Sequence, residues 1–98
     1  MGDFTSHISV LVLDLHIPEA GSLKSKRQVV KSIKDRIRSK FNVSVAELGE
    51  LDKWQRAVLG VVMIANDKQL LNSAMDSIRA LVETSGGVQL LDSHLDFI

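Results

Sequence analysis

The sequence predicts an α+β fold in the order β-α-β-β-α-β, with two helices on one face of a four-stranded antiparallel sheet, and three observations predict it. Runs from His7 to Ile17 and from Arg56 to Asn66 alternate with period two and are apolar on both faces, as central strands are. Residues 22–40 and 66–84 repeat their apolar positions at helical spacing. The 98 residues hold one Pro, six Gly and no low-complexity tract, which suits one domain over 1–98 with the first six residues disordered or peripheral.

In the first strand Leu11, Leu13, Leu15 and Ile17 point one way, and Ile8, Val10, Val12, Asp14 and His16 the other. Pro18, Gly21 and Ser22 then turn the chain. A helix follows from about Ser22 to Lys40, with Ser22 or Ser25 as its N-cap and Leu23, Val30, Ile33, Ile37 and Phe41 as its apolar stripe. Residues 41–48 read as an edge strand, joined by the polar loop 49–55 to the second central strand, in which Val58, Val62 and Ile64 oppose Leu59, Val61 and Met63. Asn66 or Asp67 caps the second helix, buried through Leu71, Ala74, Ile78, Leu81 and Val82 and ended by Gly86-Gly87. Val88 to Phe97 is the last strand. Right-handed crossovers arrange these elements as a ferredoxin-like sheet with the first and third strands in the centre.

The helices cover only one side of that sheet. The other side would expose Ile8, Val10, Val12 and their neighbours, a large apolar patch that predicts a homodimer through the open face. A terminus folded over it, or pairing of edge strands, are the competing arrangements.

Composition excludes several classes of function. Cysteine is absent, which removes disulfides, thiolate metal sites and thiol catalysis, and suits a cytoplasmic protein. The apolar run from Ile8 to Ile17 is too short to span a bilayer and lacks the basic flank of a signal peptide, so no membrane association is expected. No nucleophile elbow, P-loop, dinucleotide glycine pattern or HExxH occurs, so the expectation is a non-enzymatic binding module with no cofactor and no metal.

The formal net charge of zero hides an asymmetry. Residues 24–40 hold eight Lys or Arg and one acid, Asp35. At about 100° per residue, Lys24, Arg27, Lys31, Lys34 and Arg38 form one ridge beside the apolar stripe. The N-terminal cations Lys24, Lys26 and Arg27 oppose the helix dipole, at about 0.3–1 kcal/mol each, and have almost no acid to pair with. A solvated face is the plain reading, but an anionic ligand explains the placement better. Ser22, Lys24, Lys26, Arg27, Lys31, Lys34 and Arg38 are therefore the candidate anion-binding residues, for RNA backbone or an acidic protein partner. The central strands carry no aromatic residues, so base stacking on the sheet is not expected.

Two further signals are weaker. Asp14, His16, Asp92 and His94 lie on strands predicted to be neighbours, where they could hold a metal or small molecule, although alternating polar residues at a strand end are more often plain surface. Trp54 reads as a core plug where the loop enters the second central strand, with partner contact as the minority reading.

The segments Ser22-Leu23-Lys24-Ser25-Lys26-Arg27, Val29-Val30-Lys31-Ser32, Phe41-Asn42-Val43-Ser44-Val45-Ala46-Glu47 and Trp54-Gln55-Arg56-Ala57, followed by Leu59-Gly60 and Asn66-Asp67, resemble the YlxP-like family of small bacterial proteins of unassigned function. Members commonly carry Glu where this chain has Ser25, a departure that makes the helix start more basic. The resemblance implies a ferredoxin-like fold and a genomic setting among translation-initiation and ribosome-maturation genes. It implies no catalytic residues. The resulting expectation is a module bound to ribosomal RNA or a ribosomal subunit through the first helix. The alternatives are a homodimeric module for an acidic protein and a small-molecule or metal-binding regulator.

Overall fold

In the computed structural model, which describes residues 4–98, the chain runs β1 (His7–His16), α1 (Leu23–Lys40), β2 (Ser44–Gly49), β3 (Arg56–Ala65), α2 (Lys68–Glu83) and β4 (Gln89–Phe97). The strands form one antiparallel sheet in the order β2-β3-β1-β4, the ferredoxin-like arrangement the sequence predicts. Of the segment expected to be disordered or peripheral, residues 1–3 lie outside the described residues, and Phe4–Ser6 are exposed and outside regular structure.

Period-two alternation decides the core. Leu11, Leu13 and Leu15 of β1 and Ala57, Leu59 and Val61 of β3 point to the helical side and are fully buried. They meet Val30, Ile33 and Ile37 of α1 and Met75, Ile78, Leu81 and Val82 of α2. Each buried Leu, Ile, Val or Met side chain of this set contributes about 1.5–3 kcal/mol, so this layer dominates stability. The register rows confirm the sides: Leu11 lies between Val61 and Leu95, and Val45 pairs with Val61 from β2.

The opposite face is open. Its rows run Ser44-Val62-Val10-Asp96, then Ala46-Gly60-Val12-His94, so it is apolar toward β3 and acidic along β4. Val62 and Ile64 are exposed there, and Ile8, Val10, Val12 and Val58 are half-buried. Leu48 sits in a register shift of β2, and its side chain lies over Gly60, where an added Cβ would fall 2.6 Å from the leucine Cδ1.

Two boundaries differ from the sequence reading. Phe41 ends α1 rather than starting β2, because its N–H donates to the Ile37 carbonyl, and sheet pairing begins only at Ser44 opposite Val62. α2 stops at Glu83, with Thr84 as the C-cap, whose N–H and hydroxyl both donate to the Ala80 carbonyl. Gly87 follows at φ 80°, the left-handed conformation that releases the chain toward β4. The N-caps are Ser22, which accepts from the Ser25 N–H at 3.0 Å, and Asp67, which accepts from the Gln69 N–H at 2.9 Å.

Candidate functional site

The cations of α1 divide into an outer set and one inner residue. Lys24, Arg27, Lys31 and Arg38 are exposed, and Lys34 is half-buried. Lys31 and Arg38 share Asp35, at 2.7 Å and 3.6 Å. The hydrogen bond from Lys31, with the charges of Lys31, Arg38 and Lys34, holds the Asp35 carboxyl below its ordinary range. Among the described residues, Lys24, Arg27 and Lys34 form no ion pair. Arg38 also donates to the Val45 carbonyl at 3.2 Å, which places the ridge along the β2 side of the molecule.

Lys26 is the correction to the anion-binding set. Its side chain is 0% exposed, and its ammonium donates to Glu47 Oε2 at 3.0 Å, the Glu50 carbonyl at 2.8 Å and the Leu51 carbonyl at 3.2 Å. A lysine ammonium has three N–H donors, and all of them are used within the chain. No external anion can be bound by it. The physical reason is its position on the helix: at about 100° per residue Lys26 falls among Leu23, Val30, Ile33 and Ile37, and it fills the gap of seven residues that their stripe leaves. That gap was the signal for a buried residue at 26.

Lys26 fastens the β2–β3 loop to the first turns of α1. Glu50 adopts φ 58°, which costs a non-glycine residue roughly 1–2 kcal/mol, and its carbonyl accepts from both Lys26 and the Lys53 N–H. At the far end of the same loop, Gln55 donates to the Pro18 and Ala20 carbonyls at 3.2 and 3.3 Å, and its own carbonyl accepts from the Ile17 N–H at 2.9 Å. Arg56 follows, with Nη2 on both Asp14 oxygens at 2.7 and 2.9 Å, and that hydrogen bond raises the guanidinium above its ordinary range. Residues quoted for the sequence resemblance, Lys26, Glu47, Gln55 and Arg56, thus clamp two loops together at the N-terminal end of α1.

Trp54 is not a core plug. It stands 55% exposed on the clamped loop, as Leu51 of the same loop does, because Gln55 and Lys26 hold the loop through backbone carbonyls and leave the indole outside.

The structure brings Asp14 and Asp92 opposite each other but keeps the two imidazoles in separate rows, His16 opposite Gln89 and His94 opposite Val12. His16 Nδ1 lies 3.1 Å from the Gln89 amide oxygen, and His94 Nε2 lies 3.0 Å from Asp96. A shallow hollow of about 220 Å³ is lined by Val12, Asp14, Val58, Asp92, Ser93 and His94. Asp14 is already engaged by Arg56, and among the described residues no group of three or more His, Cys, Asp or Glu is placed to hold a metal ion. Among the same residues no helix is long and apolar enough to cross a membrane.

The chain belongs to DUF503, a family of proteins of unknown function, whose family model matches residues 8–95. It is similar to Uncharacterized protein YlxP of Bacillus subtilis (strain 168), at 37% identity over 68 residues that cover 69% of this chain and 74% of that protein. The YlxP-like resemblance read from the residues is upheld. Among solved structures, the De novo designed protein Foldit4 resembles it with a TM-score of 0.56 and 13% identity, over 94% of this chain and 96% of that one. At that identity the likeness concerns the fold alone.

Proposed function

We propose that this chain is a non-enzymatic, cytoplasmic binding module that holds RNA, ribosomal RNA or a ribosomal subunit in the first place, through the outer cations of α1. One observation carries this reading: Lys24 and Arg27 are exposed and Lys34 half-exposed, none of the three forms an ion pair among the described residues, and two of them lie within the first turns, where the helix dipole already disfavours positive charge. A phosphate reverses that sign. It is attracted both by the side chains and by the positive helix end, which Ser22 caps without adding negative charge and where the first turn holds no acid.

The ridge from Lys24 to Arg38 extends over about 21 Å, with one cation at roughly every turn. Regularly spaced positive charge suits a regularly charged polymer. Measuring binding to ribosomal RNA and ribosomal subunits between about 50 and 200 mM salt tests this, since each phosphate contact adds about 0.7–0.9 to the slope of log affinity against log salt. The variant carrying Lys24→Glu, Arg27→Glu and Lys34→Glu is expected to lose binding and flatten the slope while melting no lower than the wild type, since acids in the first turns suit the helix dipole. Equal affinity and slope in both proteins would overturn the proposal, and tight binding to an acidic protein instead would move the ridge to its alternative ligand.

A second reading concerns assembly and is favoured by the exposed Val62, Ile64 and Leu48 on the open sheet face. Four strands at about 4.8 Å spacing and ten residues of about 3.3 Å give roughly 600 Å² of face, close to the roughly 800 Å² that each partner contributes to a standard interface. The molecule is accordingly proposed to dimerise face to face, leaving α1 outward on each copy. Sedimentation equilibrium at micromolar concentration should give twice the chain mass for the wild type and the chain mass for Val62→Lys with Ile64→Lys. A monomeric wild type would refute it.

A further inference from the structure

We infer that the ligand of the α1 ridge is single-stranded where it passes the end of the helix, and that Trp54 stacks on one of its bases; this rests on the RNA reading above.

Three features meet at that end of the molecule. Trp54 is 55% exposed although an indole is among the most favourable side chains to bury. The loop that presents it is fixed at both ends, by Lys26 on the Glu50 and Leu51 carbonyls and by Gln55 on the Pro18 and Ala20 carbonyls. Those bonds tie the loop to the segment that leads into Ser22, so Trp54 is held beside the N-terminal turns of α1, where Lys24 and Arg27 begin the ridge. An exposed aromatic side chain on a loop tied to the start of a row of cations offers both elements by which single strands are bound without sequence preference, a backbone track and a stacking platform.

The local charge separates the two roles. Glu50 is paired with Lys53 at 3.7 Å, and Asp52 on the same loop and Glu19 on the adjoining one are exposed, so the loop tip carries an acidic surplus and no phosphate contact of its own. It supplies the flat ring, and α1 supplies the charge. An acidic peptide fits this arrangement less well, because peptides are anchored by apolar side chains set among the charges, and the exposed ridge is interleaved with Gln28, Ser32, Asp35 and Ser39. A continuous duplex fits less well too, since its bases are stacked on one another and show no free face to the indole.

Trp54 is the one tryptophan of the chain, and tyrosine is absent, so its fluorescence reports on this loop alone. The experiment is a fluorescence titration with a single-stranded adenine-rich RNA oligonucleotide of about a dozen nucleotides, with the same strand in a blunt duplex, and with polyglutamate, using wild type, Trp54→Ala and Trp54→Phe. Affinities of all three proteins are measured in parallel by anisotropy of a labelled strand. The single strand is expected to quench Trp54 and to bind the wild type more tightly than the duplex. Trp54→Ala should weaken single-strand binding by about tenfold or more and duplex binding little, while Trp54→Phe retains most of the affinity. Single-strand binding without quenching and with full affinity in Trp54→Ala would overturn the inference and leave the RNA reading standing. Equal quenching by polyglutamate would overturn it in favour of a protein ligand. Failure of the wild type to bind either RNA would remove the RNA reading beneath it.

Discussion

α1 and α2 lie on the same face of the same sheet, yet they attach by different physics. α2 buries Leu71, Ala74, Met75, Ile78, Leu81 and Val82, an unbroken apolar stripe. α1 buries only Val30, Ile33 and Ile37 with Lys26 in their midst. Their N-termini differ as well. Asp67 places a carboxylate at the positive end of α2, whereas Ser22 closes α1 with a neutral hydroxyl and cations follow. The contrast teaches which helix is built for the fold and which also faces outward: α2 is internally compensated, while α1 carries surplus positive charge and a buried lysine that fastens the neighbouring loop.

The largest effects should come from breaking each attachment in its own way. Lys26→Ala strands Glu47 and two loop carbonyls, so it is expected to destabilise by about 3–5 kcal/mol. Ile78→Ala in α2 leaves a cavity, at about 2–5 kcal/mol. The two should separate in what else they change. Lys26→Ala should speed amide exchange in residues 50–55 ahead of global unfolding, and Ile78→Ala should leave that loop's exchange tied to global stability. Lys26→Met, which keeps the volume without the donors, sharpens the comparison: recovery of stability without recovery of loop protection would assign the lysine to fixing the loop. Unchanged loop exchange in Lys26→Ala would break the contrast.

Much of this was legible in the sequence because period and capping are local properties. The alternation of Leu11, Leu13 and Leu15 and the repeat of Leu71, Ala74, Ile78 and Leu81 place the core directly. The clamp was not legible, because it joins residue 26 to residues 47, 50 and 51 through a loop whose conformation no periodicity encodes. Lys26 joins the anion-binding candidates on its charge although its helical angle sets it off the ridge, and Trp54 reads as core because indoles are usually buried. In both cases the loop decided the outcome, and loops are specified by particular hydrogen bonds rather than by pattern. The positions of Lys24, Arg27, Lys31, Lys34 and Arg38, set by helix geometry alone, follow the sequence reading.

The smallest expected effect bears on the outward charge of α1. Asp35 is the one acid within the ridge, hydrogen-bonded by Lys31 and close to Arg38. Its folded-state carboxyl titrates below the ordinary value of 3.8, chiefly because of the Lys31 hydrogen bond. The pairing therefore adds stability in full above the unfolded carboxyl's titration, and that contribution is lost as pH falls through the lower folded-state value. Asp35→Asn should remove this acid-side dependence from the melting temperature while leaving its value at neutral pH nearly unchanged, as exposed pairs contribute little. The same change frees Lys31 and Arg38 for an external anion. RNA affinity should then rise by about two- to fivefold and the salt slope steepen by up to about 0.7 for each freed cation. Lower affinity in Asp35→Asn would mean that Asp35 organises the ridge for its ligand, and unchanged affinity would confine the contact to the cations outside the Asp35 pairing, Lys24 and Arg27 in the first turns of α1 and Lys34 further along it.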